Sequence, residues 1–167
     1  MIILFIRHAD AKDDKLTKLG KKQAKLLSEK DDFEFAKIYS SPMERCKKTA
    51  IIFNKKRKLP LEIDFRLKER ETLGRKPKTK EEQKWYDNYL NPQFSNLSPE
   101  GCKEFLERVY EFLGERIFEH YQKNENIAVV AHSGTFYAIM SYFNKGKKEN
   151  INWYKIGCAS KVYFEVK

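Results

Sequence analysis

Ile2-Ile3-Leu4-Phe5-Ile6-Arg7-His8 is an apolar run that stops on a cation and a titratable imidazole. Short and rich in branched side chains, it reads as a strand whose end is marked by chemistry rather than by a turn. Ile127-Ala128-Val129-Val130-Ala131 repeats the pattern far downstream and runs straight into His132-Ser133-Gly134. In open α/β sheets ligands bind beyond the carboxyl ends of the strands. Two apolar strands that both end in His therefore point to one pocket holding both imidazoles.

The sequence between and after these strands alternates. A polar loop leads to Thr17, an N-cap for a helix through about Lys30 with Leu19, Ala24, Leu26 and Leu27 on its apolar face. Ala36 to Ser40 reads as a strand. Ser41-Pro42-Met43-Glu44 reads as a helix start, with Ser as N-cap, Pro at the first position and Glu closing a capping box, and the helix runs to about Asn54. Leu61 to Asp64 is a third strand, followed by a polar segment from Arg66 to Gly74. Residues 79 to 90 read as helical until Asn91-Pro92 stops them. Ser98-Pro99-Glu100 opens a long helix with Phe105, Leu106, Val109, Phe112, Leu113 and Ile117 on its apolar face. A helix from Gly134 to Phe143 follows the 127–131 strand, and closing strands come near 152–156 and 160–166. Strands alternating with helices predict a three-layer α/β/α fold with a mainly parallel sheet. The closing strands are too near each other for a helical crossover, so an antiparallel pairing is expected at that end.

At 167 residues the chain is expected to form a single domain, 1–167, able to bury a core without disulfide or metal support. A composition that is 41% hydrophobic and 35% charged is that of a globular protein rather than a disordered one. The N-terminal apolar stretch is too short for a signal-peptide core or a bilayer span, so no membrane partner is expected. Cys46, Cys102 and Cys158 are odd in number and form no C-x-x-C pair, which fits a reducing compartment and a cytoplasmic location. The net charge of +10 raises the question of nucleic acid. The lysines, however, are dispersed, with short clusters only at Lys55-Lys56-Arg57-Lys58 and Lys145-Gly146-Lys147-Lys148, and no nucleic-acid motif accompanies them. The expectation is a solvated basic surface that attracts small anionic substrates, without a nucleic-acid partner.

Arg7, His8, Arg45 and His132 fall at or just beyond the ends of three predicted strands, with Arg45 in the first turn of a helix whose free N–H groups favour an anion. Guanidiniums pair with two phosphate oxygens at once, so this set describes a phosphate pocket. Nearby positive charge keeps an imidazole neutral with its lone pair available. His8 is then the candidate nucleophile and His132 the donor to the transferring phosphoryl group. The departing oxygen needs a proton, which Glu69 or Glu71 can supply.

These residues resemble a known family. Arg7-His8-Ala9 is similar to the R-H-G signature of the histidine phosphatase superfamily, which includes the cofactor-dependent phosphoglycerate mutases. Leu16-Thr17-x-x-Gly20-x-x-Gln23-Ala24, Ser40-Ser41-Pro42-x-x-Arg45-x-x-x-Thr49-Ala50, Leu67-x-Glu69-x-x-x-x-Gly74, Pro99-Glu100-Gly101-x-x-x-Phe105-x-x-Arg108-Val109 and Val130-Ala131-His132-Ser133-Gly134 resemble its later blocks in order. The resemblance implies a phosphoglycerate mutase-like fold, His8 as the phosphorylated nucleophile, Arg7, Arg45 and His132 as phosphate ligands, and Glu69 as proton donor. It implies neither metal nor cofactor.

Ala9 stands where the family usually has Gly. Asp10-Ala11 stands where many members have Glu-Thr, and resembles the short phosphohistidine phosphatases. The expected activity is hydrolysis of small phosphomonoesters, with water as final acceptor because the chain is short for the insertions that enclose a mutase substrate. The alternatives are a phosphohistidine phosphatase acting on proteins and, because of Ala9, a catalytically silent phosphate-binding module. Among residues outside the pocket, His120 is expected to be exposed or a helix-dipole partner, and Cys46 a buried structural thiol. Trp85, Tyr86 and Tyr89 are expected to line a substrate mouth or pack in the core.

Overall fold

Ile3 to Ile6 and Ala128 to Ala131 are completely buried because their two strands lie side by side inside the sheet. The computed structural model describes residues 1–29, 33–71, 78–81, 100–143 and 156–166. Its elements are β1 (Ile2–Arg7), β2 (Ala11–Lys12), β3 (Lys15–Leu16), α1 (Lys18–Glu29), β4 (Lys37–Ser40), α2 (Glu44–Asn54), β5 (Leu61–Ile63), a 3-10 turn (Phe65–Leu67), α3 (Cys102–Tyr121), β6 (Ile127–Ala131), α4 (Ser133–Phe143) and β7 (Lys161–Glu165).

The sheet order is β5-β4-β6-β1-β7. All pairings are parallel except that of β7, which runs antiparallel to β1, as the closing segment predicted. One apolar cluster, with Phe105, Val109, Phe112, Phe136 and Ile139, packs α3 and α4 on one face. A second, with Leu27, Cys46, Ala50 and Phe53, packs α1 and α2 on the other. The three-layer α/β/α expectation therefore holds.

Three parallel strands end level with one another. Arg7 pairs with Ala131 and Ser40 with Val130, and the chain stays zipped one residue further, with His8 N donating to Ala131 O and Ser41 N to Val130 O. This register sets the two histidines side by side.

Local details depart from the sequence reading. On α1 the buried face is Gly20, Ala24 and Leu27, while Leu19 and Leu26 are exposed; the stripe follows i, i+4, i+7 and those two leucines fall beside it. Gly20 is required by close approach, since a Cβ there would lie 2.0 Å from Asp10 O. Thr17 caps α1 as expected, its Oγ1 accepting from Gly20 N at 3.0 Å. The long helix begins at Cys102 rather than Ser98, with Glu104 accepting from Gly101 N. The polar loop after β1 contains a small hairpin, β2–β3, that alternation was too short to reveal. Of the helix expected over 79–90, only Lys80 and Glu81 fall among the described residues as helix. The rest of that segment, Trp85, Tyr86 and Tyr89 with it, and the 152–155 portion of the first closing strand lie outside the described residues.

His120 is neither exposed nor a simple dipole partner. It is 3% exposed, and its Nε2 and Nδ1 each lie 2.8 Å from a partner, Tyr39 Oη and Glu125 Oε2 respectively. A helix-end position predicted solvent, but Tyr39 beneath it and Glu125 in the following turn satisfy the ring inside the fold.

Candidate active site

β1 and β6 deliver His8 and His132 to one point, with ring centroids 5.2 Å apart. Arg45, the second residue of α2, lies between them: its Nε donates to His8 Nε2 at 3.1 Å and its Nη2 is 3.2 Å from His132 Nδ1. One edge of one guanidinium therefore faces both imidazoles. His8 Nδ1 lies 2.9 Å from Ala9 O, which assigns the proton to Nδ1 and leaves the lone pair on Nε2. Burial, with the charges of Arg45 and Arg7, lowers the His8 pKa to about 4 despite the bond to Ala9 O. His132 is fully buried and held well below the ordinary imidazole value by burial and by Arg45. Both rings are neutral at pH 7.

Arg7 is the last residue of β1; its Nη1 donates to Ile156 O, and its Nε is buried with no hydrogen-bond partner among the described residues. Glu69 reaches the same cleft from the loop after the 3-10 turn, with Oε2 accepting from Gly134 N and Oε1 from Arg70 N, both at 3.2 Å. Burial raises its pKa above the ordinary carboxyl value, although Arg45, Arg7 and the two N–H bonds favour the carboxylate. Glu71, the other carboxylate considered, is exposed and pairs with Lys68 at 2.7 Å. Arg108 holds the acid loop, donating from Nη1 to the carbonyls of Arg66 and Lys68 at 2.6 and 2.7 Å.

The capping box expected at Ser41 to Glu44 does not form. Met43 is the N-cap residue of α2, without a side-chain bond. The free N–H groups are taken by Asp14, whose carboxylate accepts from Glu44 N at 3.0 Å and Arg45 N at 3.3 Å. It also accepts from Arg45 Nη1 at 2.8 Å. Ser41 is committed elsewhere, its Oγ lying 2.8 Å from His132 Nε2. Ser41 and Asp14 are thus site residues that the sequence reading missed. Ser41 matched a capping pattern, and Asp14 sat in a loop with no signal of its own.

Ala9 is buried, and its amide donates to Thr49 Oγ1 at 3.1 Å. Its backbone is not among those in the left-handed region, so the methyl occupies a conformation any residue adopts. Cys46 is fully buried 3.3 Å from His132 Nε2, and burial pushes its thiol pKa up, in keeping with an inert structural role.

A cleft at the carboxyl ends of parallel strands, lined by two neutral imidazoles and cationic guanidiniums, defines an α/β protein suited to a tetrahedral anion. The family model for the histidine phosphatase superfamily (branch 1) matches residues 4–167, and the chain belongs to that family. It is 33% identical over 151 residues to "Putative phosphoserine phosphatase 2" of Hydrogenobacter thermophilus, covering 83% of this chain and 71% of that protein. Its fold resembles the alpha-ribazole phosphatase from Shigella flexneri at TM-score 0.77 and 20% identity, covering 100% of this chain and 91% of that one. It also resembles a phosphoglycerate mutase from Bacillus anthracis at TM-score 0.77 and 18% identity, covering 98% and 88%. The fold is phosphoglycerate mutase-like.

Proposed function

We propose that this single-domain protein hydrolyses small phosphomonoesters through a phosphohistidine formed on His8 Nε2. The observation that carries the reading is Arg45, whose Nε and Nη2 address the lone pairs of both imidazoles and match two oxygens of one phosphoryl group. In the first step His8 Nε2 attacks phosphorus, the P–O bond to the leaving group breaks, and the departing oxygen takes the Glu69 proton. In the second, water attacks the phosphohistidine, Glu69 accepts a water proton, the P–N bond breaks and phosphate leaves. Arg7, Arg45 and His132 hold the charge that the phosphoryl oxygens carry.

Ser41 fits His132 to this task. Its hydroxyl either accepts from or donates to Nε2, so His132 can turn a lone pair toward Arg45 in the empty site and an N–H toward phosphate in the filled one. No metal or cofactor enters these steps. The proposal includes a small phosphorylated substrate, no nucleic-acid partner and a cytoplasmic setting, the last resting on an odd number of cysteines with no C-x-x-C pair. The similarity to a protein named for phosphoserine makes that ester the first substrate to try.

The experiment is steady-state hydrolysis of an aryl phosphate and of phosphoserine, beside a phosphohistidine peptide, by the intact protein and by His8→Ala. Turnover that disappears with His8 supports the reading. Turnover of the peptide alone assigns the protein-directed alternative, and phosphate binding without turnover assigns the silent module.

A further inference from the structure

Asp13 and Asp14, at φ of 49° and 61°, form the two-residue turn between β2 and β3. Both central residues of such a turn take the left-handed region, which Asp tolerates better than most residues. The turn lays the Asp14 carboxylate across the start of α2, where it takes two backbone N–H groups and one arm of Arg45. The place at this helix N-terminus where a substrate anion was expected to gain is therefore filled by the chain's own anion. Of the donors of Arg45, Nη1 is turned to Asp14, leaving Nε and Nη2 for the imidazole side.

We infer that Asp14 is a positioning residue for Arg45 and that its charge sets the strength with which the site holds phosphate. The inference rests on the proposed hydrolysis for its effect on turnover, but not for its effect on phosphate binding. Two consequences oppose each other. Clamped from behind, the guanidinium keeps one edge aimed at the phosphoryl position before substrate arrives, which serves the transition state. The same carboxylate offsets part of the cationic charge, which loosens the hold on inorganic phosphate and speeds its release. The Asp14 carboxyl is kept ionised near neutral pH, because the two N–H groups and Arg45 outweigh the cost of removing it from water.

Two variants separate these effects without straining the turn, since Asn and Gly both accept positive φ. Asp14→Asn keeps an oxygen for Arg45 and removes the charge. Asp14→Gly removes both. Inorganic phosphate binding, read by titration calorimetry, is expected to tighten by about three- to tenfold in Asp14→Asn, the effect of deleting one like charge at the rim. Turnover of an aryl phosphate is expected to fall by about ten- to a hundredfold in Asp14→Gly, as expected of a misplaced guanidinium, with Asp14→Asn recovering most of it. A purely structural cap would lower thermal stability in both variants and leave phosphate affinity where it was. Unchanged or weaker phosphate binding in Asp14→Asn overturns the charge role, and undiminished kcat in Asp14→Gly overturns the positioning role. Absence of turnover in the intact protein would count against the proposed hydrolysis instead, while the calorimetry still decides the question of charge.

Discussion

Tyr39 and Ser41 lie two positions apart on β4 and its exit, and each hydroxyl is 2.8 Å from the Nε2 of a buried histidine. Tyr39 meets His120 and Ser41 meets His132. The resemblance ends at the second nitrogen. His120 Nδ1 faces the fixed carboxylate of Glu125, so both ring nitrogens are satisfied inside the fold. His132 Nδ1 faces Arg45, a donor whose bond a phosphate oxygen can replace, and a second imidazole stands beside it. In the proposed mechanism, burial alone does not set the reactive histidines apart; a replaceable cationic partner at a shared strand end does. His120 pins the end of α3 to the sheet, and His8 with His132 forms the cleft.

The comparison breaks most readily at His8. His8→Ala is expected to lower aryl phosphate turnover by about a thousandfold or more, while inorganic phosphate continues to bind. Residual activity near the parent level would move the chemistry elsewhere. Glu69→Gln comes next, with loss on the order of a hundredfold for esters with poor leaving groups and much less for activated aryl esters. An equal loss on both would remove Glu69 from proton transfer.

The pH profile sharpens the same contrast. His8 takes up a proton only as pH falls toward about 4, so the acid limb of kcat/KM should lie near there rather than near 6.5. Glu69, with its pKa raised, stays protonated above the usual carboxyl range and loses its proton as pH rises, which sets the alkaline limb. An acid limb at the ordinary imidazole value would contradict the cationic, buried setting of His8. Stability follows the depressed value as well. Between pH 6.5 and about 4 the unfolded chain binds the His8 proton and the folded one does not, so His8 makes the fold less stable as pH falls through that window.

The smallest effect on activity is expected on the other side of the comparison. His120→Ala should leave kcat per folded molecule unchanged and cost about 3 kcal/mol of stability, through a cavity and the unsatisfied Tyr39 hydroxyl. Urea denaturation beside steady-state kinetics measures both. A selective loss of kcat would join the two histidine clusters into one functional unit.

Much of the architecture was legible in the chain because apolar runs have few alternatives. Ile2 to Ile6 and Ile127 to Ala131 are too short for helices and too apolar for loops, and both proved to be buried parallel strands. The residues at their exits followed. His120 was misread because helix-end position predicts exposure only when nothing packs over the end. Ser41-Pro42-Met43-Glu44 was misread because a capping signature states only which bonds are available. Tertiary contacts decided which bonds formed, giving Ser41 to His132 and the α2 N-terminus to Asp14.

By itself, then, the sequence determined that apolar strands would end in Arg7-His8 and His132, and that helices would cover a parallel sheet; periodicity and side-chain polarity act over a few residues and need no distant partner. The tertiary structure alone decided that the strands end level, that Glu69 rather than Glu71 enters the cleft, and that Asp14 stands behind Arg45. These depend on strand register and on which loop folds over which helix. A carboxylate thirty-one positions away from the guanidinium it orients leaves no periodic trace in the chain that carries them both.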